Sequence, residues 1–155
     1  TKNHLVVAAV AHLAEKRGAE LAAAAAAIPG GPGRTRAVLQ MLADHFTGPV
    51  FAAALELWVA ARTDESLLAA VGPLEQTIGR ETHRLTVELL GIDESLPGNR
   101  ELTQATLDLV RGLGLADTIT DDSRRRAAIL DRWAEVLDAA IDDPALDPAR
   151  PTRRS

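Results

Sequence analysis

Along most of the chain, apolar residues return every three to four positions. They do not alternate in the way a half-buried strand requires. Thr1 is placed to cap a first helix over 1–28. Leu5, Ala9, His12 or Leu13, and Lys16 or Arg17 follow the helical rhythm, and the alanines of 22–27 continue it. The Pro- and Gly-rich segment 28–33 predicts a loop. A second helix is expected over 35–46, with Val38, Leu42 and His45 on one stripe and Met41 beside it. Thr47-Gly48-Pro49 ends it, and Pro49 suits the first turn of a third helix reaching Arg62. That helix carries Phe51, Leu55, Trp58 and Arg62 on one stripe, alanine on most of the rest, and Glu56 as its internal charge. Apolar on nearly all sides, it reads as the central, buried helix.

Thr63 or Asp64 caps a fourth helix that runs to about Leu90, with Leu67, Val71, Leu74, Ile78, Leu85 and Leu89 as its seam. Gly72-Pro73 predicts a kink, and Glu81 and Thr82 interrupt the seam with polar groups. After a loop over 91–98, a fifth helix is expected over 99–112, and a sixth, capped by Asp121 or Asp122, over 123–141. Residues 143–155, rich in Asp, Pro, Ala and Arg, read as a tail behind a single domain over 1–142. The expectation is an all-α bundle of about six helices.

Composition agrees: 46% of the 155 residues are hydrophobic and only 3% aromatic, with no Tyr, so helix formers outweigh strand formers. The absence of Cys excludes disulfides, thiolate catalysis and Cys-type zinc sites, and fits a cytoplasmic location. No apolar run approaches the length of a membrane span, and no membrane partner is expected. A net charge of −5 does not suit a domain that binds nucleic acid unaided, because counterion release favours a basic face. Arg124 to Arg126 form the one dense basic run before the tail, in a first helical turn where positive charge is disfavoured. They read as a solvated face or as partners for acidic groups across a dimer.

Few motifs carry chemistry. The segment Gly30-Gly31-Pro32-Gly33-Arg34-Thr35 lacks the lysine and the spacing of a phosphate loop and follows a helix, not a strand. His4, His12, His45 and His83 form no His-x-x-x-His or Glu-x-x-His pair, so no metal or cofactor is expected. There is no Gly-x-Ser-x-Gly elbow and no Cys nucleophile, and the chain does not read as an enzyme.

Three stretches carry a family resemblance. The opening Thr1-Lys2-Asn3-His4-Leu5 looks like the end of the TetR-family signature, where Ser or Thr is followed by Lys, two residues and Leu. Gly48-Pro49-Val50-Phe51, with Leu55-Glu56-Leu57-Trp58-Val59-Ala60-Ala61-Arg62-Thr63-Asp64, resembles central helices of that family. The third stretch is Leu107-Asp108-Leu109-Val110-Arg111-Gly112-Leu113, followed by a last helix containing Trp133. The chain thus resembles the ligand-binding and dimerising C-terminal domain of a TetR-family transcriptional repressor. Nearly all of the helix-turn-helix domain is expected to lie outside it, and 1–28 to serve as the linking helix.

The resemblance implies a homodimer that holds operator DNA through that N-terminal domain. Its two recognition helices would sit in major grooves roughly 34–36 Å apart. Lys2 matches the family's phosphate-contacting lysine. The resemblance also implies a small-molecule effector, expected to be largely apolar. Pocket candidates read from the stripes are Met41, Phe51, Leu55, Glu56, Trp58, Arg62 and Thr82. The last two helices are implied to pair with their copies as a four-helix interface. Its candidates are Leu102, Thr106, Leu109, Val110 and Leu113, then Ile129, Trp133, Val136, Leu137 and Ala140, an apolar band wider than one seam needs. The competing class is a helical dimeric scaffold or protein-interaction module with neither ligand nor DNA.

Overall fold

A computed structural model describes residues 1–142, and the tail expected over 143–155 lies outside them. The described residues form six helices and no strand: α1 (Lys2–Ala26), α2 (Arg34–His45), α3 (Pro49–Ala61), α4 (Glu65–Leu90), α5 (Asn99–Asp117) and α6 (Ser123–Ile141). The starts follow the local chemistry. Thr1 Oγ1 accepts from the His4 N–H at 3.3 Å, Asp64 Oδ1 accepts from the Leu67 N–H at 3.0 Å, and Pro49 occupies the first turn of α3. Gly72-Pro73, where a kink is expected, lies inside α4, which runs through Pro73 to Leu90 as one helix. Gly91, at φ 65°, closes α4 in the left-handed region.

The centre of the bundle is α2, not α3. Val38, Leu39, Leu42 and Ala43 are fully buried and Met41 nearly so, and α2 packs on α1, α4, α5 and α6. Its polar residues keep to one strip, where the Arg36 guanidinium donates to Gln40 at 3.0 Å and the Gln40 amide to Asp44 at 2.8 Å. The expectation for α3 is overturned because much of its apolar surface is alanine, which tolerates exposure at little cost and favours helix anyway. Ala60 and Val59 face outward, Val59 at 65% exposure.

The second departure is α5, which continues five residues past Gly112 to Asp117. Gly112 sits inside the helix with open space beside it, and the glycine that packs is Gly114, two residues on. A Cβ on Gly114 would stand 1.9 Å from the Phe46 carbonyl oxygen and 2.8 Å from Phe51 Cε1. Only a bare Cα lets α5 lie this close to the α2–α3 corner.

Polar ties fix the ends. The Arg34 guanidinium donates to the carbonyls of Leu89 (3.1 Å), Ile28 (3.2 Å) and Pro29 (3.2 Å), joining the start of α2 to the ends of α4 and α1. Arg36 pairs with Asp131 at 2.5 Å, and Thr35 donates to Asp138, joining α2 to α6. No single described helix is long and apolar enough to cross a membrane. The pair α2 and α3 has the length and composition together but is bent by 61° between them.

Candidate functional site

Two helices that hardly touch each other, α1 and α3, both pack on α4. Between them lies a cavity of about 520 Å³. One face of α1 (Val10, Leu13, Ala14, Arg17) and one face of α4 (Leu68, Val71, Gly72, Glu75, Ile78, Gly79, Thr82) form two walls. Val50, Phe51, Ala53, Ala54, Trp58 and Ala61 of α3 form the third. His45 and Phe46 at the end of α2, with Arg111 of α5, complete the lining. Leu13 and Leu68 are 40% and 53% exposed and so stand at the rim.

The space arises from missing side-chain mass. Gly72 and Gly79 lie seven residues apart, so they share one face of α4, and a Cβ on either would meet no atom within 4 Å. Ala14, Ala53 and Ala54 oppose them. The bulk in the lining is aromatic, and three of the chain's four Phe and Trp residues are here. His45, Phe46, Phe51 and Trp58 form an edge-to-face series with centroid separations of 5.1, 5.7 and 6.1 Å, the preferred geometry for such rings.

The charged groups in the lining are largely occupied. Arg17 donates to the His45 carbonyl at 3.0 Å and pairs with Glu20 at 3.4 Å. Arg111 pairs with Asp108 at 3.0 Å, and its guanidinium carbon lies 5.4 Å from the centroid of the Phe46 ring. Burial, reinforced by the Arg17 charge and partly opposed by Glu20, lowers the His45 pKa from 6.5 to about 4, so the ring is neutral at pH 7. Thr82, buried, returns its hydroxyl proton to the Ile78 carbonyl at 2.8 Å. The indole N–H of Trp58 is closed off from solvent and has no acceptor. Among the described residues no three His, Asp or Glu side chains gather as a metal-holding group.

Of the pocket candidates read from the sequence, the structure brings Phe51, Trp58 and Thr82 together in this lining. Met41 is buried and lines a separate hollow of about 400 Å³ between α1 and α2. Leu55 is half-buried against the main core and outside the cavity lining, while Glu56 and Arg62 are exposed. The α1 wall, the two glycines, His45 and Arg111 were missed by a search for large apolar stripes. The seven-residue glycine spacing facing an alanine-rich helix was the available sign.

Lys2 is exposed at the first position of α1. On α5 and α6, Thr106, Val110, Leu113 and Leu137 are buried within the chain itself, so a partner cannot reach them. Thr106 accepts the Trp133 indole N–H at 3.0 Å. Leu102, Leu109, Ile129, Trp133, Val136 and Ala140 keep partial exposure, and Leu109, Ile129 and Trp133 line a shallow groove between the two helices. In the basic run, Arg125 pairs with Asp122 at 2.6 Å and Arg126 with Asp117 at 2.8 Å within the chain, while Arg124 is exposed. No family model, no curated protein and no solved structure matches this chain, so its function is argued from the cavity and the surfaces just described.

Proposed function

We propose that this chain is the effector-sensing and dimerising part of a ligand-gated transcriptional repressor of the TetR type. A small, largely apolar molecule enters the α1–α3–α4 cavity and alters the set of α1, through which a DNA-reading segment outside this chain is held on operator DNA or released. The observation that carries the reading is the cavity itself: about 520 Å³, walled by aromatic and aliphatic side chains with a few polar groups, and bounded by α1. The effector must bind the DNA-free conformation more tightly than the DNA-bound one, since equal affinity shifts nothing. The half-exposed strip on α5 and α6 is the surface proposed to pair two copies.

The test uses the complete gene product on its own promoter DNA, followed by fluorescence anisotropy across a salt series, with the 155-residue chain as control. The expected result is saturable, sequence-selective binding by the complete product alone, reversed by an effector. The variant Gly79→Leu, which fills the cavity, is expected to keep DNA binding and lose that reversal. Binding no stronger than salt-sensitive background would leave the second reading, a helical dimeric interaction module. The α5–α6 groove, the exposed Leu115 near the end of α5 and the exposed Ile119 just beyond it favour that reading.

A further inference from the structure

The chain's two tryptophans are treated differently by the fold. Trp133 packs at the α5–α6 junction with its N–H satisfied by Thr106 Oγ1 at 3.0 Å. Trp58 lies against the cavity and packs edge-to-face on Phe51, yet its Nε1 is shut away from solvent and donates to nothing. A buried donor without an acceptor is a standing cost, and the apolar work of this ring could be done by Phe without it. None of the described residues places an acceptor within hydrogen-bond distance of it, neither the Thr82 hydroxyl nor the Glu75 carboxylate, though both line the same cavity.

We propose that the cavity takes an apolar molecule carrying an uncharged hydrogen-bond acceptor, a carbonyl above all, and that this acceptor receives the Trp58 indole N–H once the ring turns it toward the cavity. The inference rests on the sensing role proposed for the same cavity and adds the chemical class of its ligand. A neutral acceptor is favoured over a carboxylate or phosphate because both guanidinium groups in the lining already serve other groups, Arg17 with Glu20 and the His45 carbonyl, Arg111 with Asp108. The Glu75 carboxylate shares the cavity and repels an anion. His45, held neutral, supplies no compensating charge.

Benzophenone and diphenylmethane test this directly, since they share two rings and differ by a carbonyl in place of a methylene. Binding of each to the 155-residue chain is measured by calorimetry, and the indole N–H resonances are followed by ¹⁵N–¹H correlation. With two tryptophans, Trp58→Phe assigns both signals. The expected result is about five- to tenfold tighter binding of the ketone, the worth of one neutral hydrogen bond, with a downfield shift of the Trp58 indole proton alone. Trp58→Phe should abolish the preference for the ketone over diphenylmethane, whatever it does to the affinity of either molecule alone. Equal affinities in the wild type, with an unmoved Trp58 signal, would overturn the acceptor inference and leave the cavity as an apolar site, provided Gly79→Leu abolishes binding. If neither molecule binds, the sensing cavity and this inference fall together.

Discussion

The guanidinium of Arg34 donates to three backbone carbonyls, Leu89 in the last turn of α4, which helix geometry leaves without an intrahelical partner, and Ile28 and Pro29 in the loop after α1. In the sequence this residue directly follows a Gly- and Pro-rich loop and carries no apolar periodicity that marks it. Arg34→Ala strands those oxygens and is expected to cost about 2–3 kcal/mol by denaturant unfolding, with Arg34→Lys recovering only part, since an ammonium cannot reach three acceptors in one plane. His45 acts at the same scale through pH. Its folded pKa of about 4 lies below the unfolded value of 6.5, so between these values the unfolded chain binds the extra proton. Stability is therefore full above pH 6.5 and declines as the pH falls toward 4. The loss attributable to His45, discounted for its partial exposure, is roughly 2 kcal/mol. Unfolding midpoints of wild type and His45→Gln should converge across that window, whereas parallel curves would show that the ring is not desolvated.

Among the elements, five of the six helices follow the sequence reading to within a residue or two at each end, because caps, prolines and apolar periodicity are local and act where they stand. The misreading of α5 has a single cause. A glycine that ends a helix and a glycine that stays inside one are the same letter: Gly112 keeps a negative φ within α5, and Gly114, two residues on, holds the helix against Phe46. Gly114→Ala is accordingly expected to destabilise by about 3 kcal/mol or more, despite alanine's better helix propensity. Gly79→Ala, whose Cβ enters open space, should instead stabilise by about 1 kcal/mol. Thermal unfolding of the two variants reads opposite signs if the packing account holds. The same asymmetry explains how far the site was legible. Phe51 and Trp58 announce themselves as large residues on a stripe, but a cavity is made by what its walls lack, and Ala14, Ala53, Gly72 and Gly79 carry no periodic apolar mark. The swapped roles of α2 and α3 have a related origin, since hydropathy counts an exposed alanine and a buried leucine as the same kind of residue.

For the molecule as a whole, the division of apolar residues on α5 and α6 sets the proposed association. Val110, Leu113 and Leu137 serve the chain's own core, and what remains for a second copy is the half-exposed set around Leu109, Ile129 and Trp133. Light scattering at micromolar concentration is expected to read twice the chain mass. Ile129→Asp should read the single mass with helicity retained, and an unchanged dimer in that variant would move the interface elsewhere. The way α1 is held has a mechanical consequence. Of its 25 residues only Leu21 and Ala25 are buried, and toward its start Val7 and Val10 rest half-buried on the cluster of Leu57, Ala61, Leu67 and Val71, while Val10, Leu13, Ala14 and Arg17 form a cavity wall. Thr1 stands about 30 Å from Leu21 along the axis, so a tilt of about 5° about Leu21 that slides Val7 and Val10 on that cluster carries the start of the helix through about 2.6 Å while the wall at Leu13 moves about 1 Å. In the proposed sensing role, the lever arm of α1 would enlarge a shift of the cavity wall more than twofold at the start of the helix.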